Sequence, residues 1–402
     1  MKETASIPRV WINDRAARRL RGGHVWVYAS DVRDDVERGT DAGALVHVLG
    51  PKDKPLGSAI YSSASQIKLR LLSRELLGSE EDLLQLMRRR LEEAADYRKL
   101  VVRDSDAYRL VFSEADLLSG LIVDRCHDVV TFQVLTQAWD RPQRKQAIVA
   151  GIREVAQAEH IVERVDQRIR ELEQLPELAS SVLHGSKSAT VFTMNGVQFH
   201  YDAISGQKTG AFLDQRENYA AAAAYARGEA LDVCSYQGGF ALHLARVCDK
   251  VTALDISREA LETAEENEKL NAGANQSAIE WIEANAFDLL KDYAGAGRQY
   301  DLIVLDPPAF AKSKRNLEAA LRGYKELNLR AFRMLRPGGV LITCSCSFAV
   351  SQEDFLVMLT GAAQDAHRFA KVLEIRGQSR DHPFLLGVPE THYLKCVILS
   401  VM

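Results

Sequence analysis

The chain has 402 residues and a mass of 44.7 kDa, enough for two or three domains with buried cores, which excludes a mini-protein stapled by metal or disulfides. With 47% hydrophobic and 26% charged residues it is neither disordered nor fibrous. The formal net charge of -4 hides an asymmetry, because residues 1–74 carry 13 basic against 8 acidic side chains while residues 191–402 carry 22 against 26. A basic module on an acidic body suits a phosphate-bearing partner. The cluster Arg15, Arg18, Arg19 and Arg21 reads equally as a solvated helix face. Six scattered cysteines do not make a disulfide framework, and the CxC at Cys344 and Cys346 has no second pair, so no metal is expected. Residues 1–11 show no apolar leader core and nowhere do 18 apolar residues run together. A cytoplasmic chain with no membrane attachment is the expectation.

In chain order, residues 1–74 are expected to form a small β-barrel module. It holds an amphipathic basic helix over 13–21 and strands over 44–49, 56–61 and 66–72, broken at Gly50, Pro51 and residues 62–65. A helix over 79–101 follows, with Leu83, Leu84, Leu86, Met87 and Leu91 on one side. Strands over 108–112, 121–124, 129–135 and 161–164, with a helix over 141–157, make residues 75–190 a central α+β domain. Its stretch 167–187 reads as a polar loop. From residue 192 the rhythm becomes strand then helix. Strands over 229–234, 250–255, 279–283, 300–306 and 340–346 alternate with helices over 239–247, 258–271 and 316–335. The Ala run at 220–224 is good helix material. This alternation predicts an α/β, Rossmann-like domain over 191–402, a parallel sheet covered on both faces with ligands outside the carboxyl ends of its strands.

LDVCSYQGGF, residues 231–240, is a strand that ends in a glycine-bearing turn opening a helix, and Asp255 closes the next strand, where a carboxylate can accept from ribose hydroxyls. The spacing is not GxGxxG. Cys234 and Tyr236 stand where a dehydrogenase pattern has glycine, which disfavours a pyrophosphate. S-adenosylmethionine carries adenosine without phosphate, and needs only a permissive turn, which Gly238 supplies, and the acidic ribose ligand. A generic strand-to-helix turn is the alternative. Asn285 and Asp288 lie at the same edge, where an adenine amino group would want an acceptor. A helix N-cap and first-turn charge is the plainer reading of the pair.

IVLDPPAF, residues 303–310, is the most specific signal. A strand running into Asp306, Pro307 and Pro308 must stop, because proline lacks the N–H donor and fixes φ. The motif resembles the (D/N)PP(F/Y/W) of nucleic-acid methyltransferases acting on planar nitrogen, where a rigid turn presents acceptors to a flipped base and an aromatic residue, here Phe310, stacks on it. A turn with a buried Phe310 is the plainer alternative. LITCSCSFAV, residues 341–350, distinguishes two chemistries. An exocyclic amine attacks a methylsulfonium directly, whereas carbon 5 of a pyrimidine becomes nucleophilic only after a thiolate adds at C6. Cys346 falls at the carboxyl end of its strand, the same edge as Asp306. Cys344 lies deeper on the same strand face and reads as packing.

Taken together, GQKTGAFLDQRE (206–217), CSYQGGF (234–240), LDPPAFAKSK (305–314), RGYKELN (322–328), CSCSF (344–348) and DHPFLLGVPETHYLK (381–395) carry a family resemblance. The chain resembles the large-subunit ribosomal RNA cytosine-C5 methyltransferases, which join an N-terminal PUA domain and a central α/β domain to a class I methyltransferase domain. The resemblance implies that residues 1–74 are the PUA RNA-binding module, that Cys346 is the nucleophile and that Asp306 holds or protonates the pyrimidine beside the cofactor. It implies that Tyr236, Gly238, Asp255 and Asn285 line the methyl donor, although Asn285 stands where Asp is expected. Gln215 becomes a candidate cofactor contact. Lys208 and Arg216 become candidate substrate contacts, with Pro307, Pro308 and Phe310. The implied partner is large-subunit ribosomal RNA, with no membrane; oligomeric state is left open, a homodimer included. No residue is named as the base that takes the C5 proton, for which water serves as well. Two other functions stand beside this one: an exocyclic-amine methyltransferase using the DPPAF motif, and a noncatalytic RNA-binding or ribosome-assembly factor.

Overall fold

A computed structural model describes residues 7–33, 40–204, 211–311 and 314–402. Chain contacts group residues 1–191, 201–210 and 381–391 into one compact unit and residues 192–200, 211–380 and 392–402 into a second.

The first unit begins with β1 (Arg9–Trp11), α1 (Asp14–Arg21), β2 (Trp26–Tyr28), β3 (Leu45–Leu49), β4 (Pro55–Tyr61) and β5 (Ile67–Ser73), whose strands form a sheet of order β1-β3-β4-β5-β2. Helix α1 starts where it does because the Asn13 side chain accepts the Ala16 N–H. It turns Ala16, Ala17 and Leu20 inward. The four-arginine cluster is thereby divided. Arg15 and Arg19 donate to the buried Asp31 carboxylate at 2.7 and 2.6 Å, and Arg19 also lies over the Tyr28 ring. Arg18 and Arg21 stay exposed.

Burial alone would raise the Asp31 pKa, but the hydrogen bonds from Arg15, Arg19 and Asn13 prevail and hold it at about 2. A carboxyl depressed in the folded state contributes stability above its unfolded value of about 3.9, and loses it as pH falls toward the folded value. Asp31→Asn should therefore cost about 1.5 to 3 kcal/mol at neutral pH. In urea titrations the gap to the parent should shrink as pH drops from about 4 toward 2; a gap that stays constant across that window would separate Asp31 from its ion pairs.

The second layer of this unit contains α2 (Glu80–Val101), β6 (Ala107–Phe112), β7 (Leu121–Cys126), β8 (Val129–Val134), α3 (Pro142–Ala156), β9 (His160–Arg164), α4 (Gln167–Leu172) and β10 (Ser181–His184). Its sheet runs β10-β9-β8-β7-β6. Ser79 caps α2 by accepting from Asp82 N. The expected polar loop over 167–187 is replaced by α4, capped by Asp166, and by β10, which pairs antiparallel with β9. Both elements are too short to show a period of their own, and β10 exists through its partner strand.

Leu45, Ile60 and Leu72 of the first sheet belong to the same apolar cluster as Leu91, Phe132 and Trp139, and Arg144 reaches across to Gly43 O at 2.8 Å. Residues 381–391, read from sequence as part of the C-terminal domain, pack in this first unit. Asp381 accepts the Arg109 N–H and receives Arg98 on its carbonyl, each at 2.9 Å. Val388 joins the core of the first sheet.

The hairpin β11 (Ala189–Met194) and β12 (Val197–Asp202) leads to α5 (Arg216–Tyr225). After it come β13 (Glu229–Val233), α6 (Gly239–Leu244), β14 (Lys250–Asp255), α7 (Arg258–Leu270), β15 (Ile279–Glu283), α8 (Ala286–Gly295), β16 (Tyr300–Leu305), α9 (Leu317–Met334), β17 (Leu335–Ser345), α10 (Gln352–Asp365), β18 (Ala370–Arg376) and β19 (Lys395–Val401). The sheet order is β15-β14-β13-β16-β17-β19-β18. Strands β13 to β17 are parallel, as the strand-helix rhythm predicts. The sequence reading did not include β18 or β19; β19 inserts antiparallel between β17 and β18 and pairs with both. Its run KCVILSV lacks alternation because both faces are covered.

Candidate active site

Strand β13 stops at Val233 because the next residues leave the extended region: Cys234, Tyr236 and Gly238 have φ of 64°, 49° and 85°. Such a left-handed sequence turns the chain sharply into α6. Gly238 is demanded twice, by its φ and by Trp281, whose ring would stand 2.8 Å from an added Cβ. At Gly239 an added Cβ would strike the Tyr219 ring at 2.4 Å. Gly238 is thus buried and lets the loop fold against Trp281.

Asp255 terminates β14 and ties the loop down, one carboxylate oxygen accepting from Tyr236 N and the other from Ser257 N, both at 2.9 Å. It remains partly exposed, with acceptor capacity left on each oxygen. The Tyr236 ring meets Phe212 edge-on at 4.9 Å. Sequence reasoning missed Asp232, two residues before the turn. It is fully buried and accepts from Ala241 N at 2.9 Å. Burial, with the nearby charge of Asp306, pushes its carboxyl well above the ordinary range. An acidic residue between the apolar Leu231 and Val233 of the strand was the available signal.

Asn285 is exposed. Its side-chain oxygen accepts from Phe287 N at 2.9 Å and caps α8, with one lone pair left over.

The next strand end carries Asp306. Its carboxylate receives Gln215 Nε2 at 3.0 Å, and Gln215 in turn accepts from Asn218 Nδ2 at 2.6 Å. Gln215, expected against the cofactor, is 3% exposed and orients Asp306. Arg216, expected on the substrate, also lies inward. Only 1% of it is exposed, its guanidinium lies beside Glu217 and its carbonyl accepts from Asn195. Lys208 lies outside the described residues. Pro307 is buried and Pro308 exposed. Phe310 is partly buried, 4.7 Å from the Tyr324 ring and 6.0 Å from that of Phe287. Those two aromatics fix its orientation.

Cys346 follows β17 directly and is partly exposed, while Cys344 inside the strand is fully buried. Cys344 is paired in register with Cys396 of β19. A hydrogen bond with Cys396 and burial push its thiol well up, which makes it inert. None of the six cysteines is in a disulfide. Because Leu305 and Thr343 are register partners on adjacent parallel strands, Asp306 and Cys346 emerge at one edge. The turn after Cys346 is held by Ser347, whose hydroxyl meets Tyr324 Oη at 3.0 Å and accepts from Ala311 N at 3.1 Å. Lys395 Nζ donates to Ser347 O at 2.7 Å and to Tyr393 O at 2.8 Å. Tyr324 and Lys395 stand inside RGYKELN and the tail motif, yet no role came from the sequence for either.

A family model described as S-adenosylmethionine-dependent methyltransferase matches residues 84–385, and one described as PUA-like domain matches residues 10–74. The chain belongs to the S-adenosylmethionine-dependent methyltransferase family. Ribosomal RNA large subunit methyltransferase I of Vibrio cholerae serotype O1 is 35% identical to this methyltransferase over 402 residues, 98% of this chain and 100% of that protein. The protein of the same name from Vibrio vulnificus is 36% identical over 387 residues, 94% and 96% of the two chains. Among solved structures, a chain from Streptococcus mutans assigned as a SAM-dependent methyltransferase superposes with a TM-score of 0.80 at 19% identity, covering 98% of this chain and 99% of its own. A second, described as a methyltransferase complexed with SAH, gives the same TM-score. At that identity these two speak for the fold alone. The strand end of this methyltransferase fits the cofactor: the partly exposed carboxylate of Asp255 keeps acceptor capacity for ribose hydroxyls, and no glycine stands where a pyrophosphate would press. When bound, S-adenosylmethionine supplies an electrophilic methyl group.

Away from this edge, Asp128, Glu159 and His160 offer ligand atoms within 4.8 Å of one another. The Asp128 carboxylate is already engaged by Lys187 at 3.0 Å and Thr190 at 2.6 Å, which makes the group an ion-pair cluster. No helix among the described residues is long and apolar enough to cross a membrane.

Proposed function

We propose that this methyltransferase forms 5-methylcytosine in large-subunit ribosomal RNA through a covalent bond from Cys346 to C6 of the base. The observation that carries the reading is the placement of Cys346 just past β17, at the same sheet edge as Asp306 on the neighbouring strand. An exocyclic amine needs no thiol there; C5 of a pyrimidine does. In this reading Asp306, held by Gln215, meets the ring, and Tyr236 and Asp255 line the methyl donor. Residues 1–74 act as the RNA-binding module, 75–190 as a central domain and 191–402 as the catalytic domain. The curated relatives, ribosomal RNA methyltransferases by name and matched over nearly their full lengths, support the substrate class.

The test is transfer from tritium-labelled cofactor to large-subunit RNA isolated from cells lacking the gene, followed by nucleoside analysis. Label in 5-methylcytidine is expected. Label in N6-methyladenosine or N2-methylguanosine would replace this reading by the exocyclic-amine one, and absence of any transfer would favour an RNA-binding factor.

The basic module is tested without truncation, because deleting residues 1–74 would strip Leu45, Ile60 and Leu72 from a shared core. Arg18 and Arg21 are exposed. Replacing both by alanine should leave thermal stability unchanged and reduce the log-log salt slope of RNA affinity by about 0.7 to 0.9 per lost phosphate contact. An unchanged slope would remove α1 from the RNA-binding face.

A further inference from the structure

Lys395 is the first residue of β19, in register with Ser345 of β17. The inward register of that strand carries its side chain out of water, leaving the residue 5% exposed. A buried ammonium normally finds a carboxylate. Among the described residues Lys395 has none. Its donors go to two backbone carbonyls, of Ser347 and Tyr393, and Ser347 is the residue directly after Cys346. Two carbonyl dipoles solvate an ammonium without neutralising it, so its positive charge is left facing the turn that presents the thiol.

We propose that Lys395 is the positioning cation of the active site, holding the Cys346 turn through Ser347 O and stabilising the Cys346 thiolate by its charge. The inference rests on the covalent reading above and deepens it. In the step it serves, the thiol proton passes to solvent and the sulfur electron pair forms the bond to C6. The C5=C6 pair then takes the methyl group from the sulfonium. On elimination the C5 proton leaves to solvent, the C5=C6 bond reforms and the sulfur takes back its pair as a thiolate facing Lys395.

The electrostatics of Lys395 agree. Burial lowers the Lys395 pKa to about 8, and the neighbouring Cys346 is the group that opposes the fall. Among the described residues, Tyr324 from α9 meets Ser347 and is raised by burial, and His392 is lowered by burial and the Lys395 charge. Asp306, beyond β16, is of opposite effect, since a carboxylate disfavours a thiolate. Lys395 is thus the cation that must outweigh Asp306.

The experiment is alkylation of Cys346 by iodoacetamide across pH 5.5 to 10, in the full-length protein without RNA, followed at that residue by peptide mass spectrometry. In the parent the rate should reach half its plateau at least one pH unit below the ordinary thiol value of about 8.5. Lys395→Gln keeps a donor for Ser347 O and removes the charge. It should raise that midpoint by one unit or more and slow alkylation at pH 7 severalfold, while calorimetric affinity for S-adenosylmethionine is retained. Lys395→Arg should restore most of the shift. A parent midpoint at or above the ordinary thiol value overturns the proposal whatever the variants do, and so does an unmoved midpoint in Lys395→Gln. The covalent reading fails separately, by methyl transfer persisting in Cys346→Ala. An ordinary midpoint together with an inactive Cys346→Ala sinks Lys395 alone.

Discussion

Cys346→Ala should abolish methyl transfer, a loss of about 10⁴-fold or more as expected for removal of a covalent nucleophile, while affinity for S-adenosylmethionine stays as in the parent. The two effects separate because the thiolate serves the pyrimidine and touches no part of the proposed donor cradle, which is built at the ends of β13 and β14. Cys344→Ala is the matched control. That residue is fully buried against Cys396, with its thiol pushed well up by that contact and by burial, so it contributes packing alone. Its loss should cost about 1 kcal/mol and leave activity in place. Single-turnover assays with calorimetry on both variants decide the matter. Reversed phenotypes would move the nucleophile to Cys344 and require β17 to open.

Asp255→Ala should weaken S-adenosylmethionine binding by about 1.5 to 3 kcal/mol, roughly 10- to 150-fold. Two contributions combine. One is the lost acceptor for the donor's ribose hydroxyls. The other is release of Tyr236 N and Ser257 N, which the carboxylate holds at 2.9 Å each, so that the turn no longer waits in shape. Asp255→Asn keeps one oxygen acceptor and loses the charge. It should fall between parent and alanine. Unchanged calorimetric affinity in both variants would remove Asp255 from the cofactor site.

The parts of this protein legible in its sequence are those whose signal is local. Helix α1 declares itself through Asn13 as cap, and the β13 turn through its glycines. The stop at Asp306 is written in two prolines. The parallel core of the second unit follows from strand-helix alternation, which repeats over several elements and so shows as a rhythm even where single elements are short. What could not be read depends on partners distant in sequence. Strand β10 needs β9, and β19 needs the gap between β17 and β18. Gln215 and Arg216 look like surface polars until α5 packs them inward. Lys395 stands 49 residues after Cys346, and only the antiparallel register of β19 on β17 brings it behind the turn. Asn285 adds a role that is local and readable, the cap of α8.

The return of residues 381–391 to the first unit has a consequence in time. Asp381 supplies acceptors to Arg98 and Arg109, and Val388 fills part of the first core. The ribosome makes the chain in order, at about 5 to 20 residues per second. The amino-terminal unit therefore cannot close when its own first 191 residues have emerged; it must wait for about 190 more, a delay of roughly 10 to 40 seconds. During that interval Arg98 lacks its Asp381 carbonyl acceptor and one wall of the first core is missing. Residues 211–380 of the second unit are synthesised within the wait, but its strand β19 (Lys395–Val401) follows residues 381–391, so a nascent chain interrupted near residue 380 leaves both units incomplete.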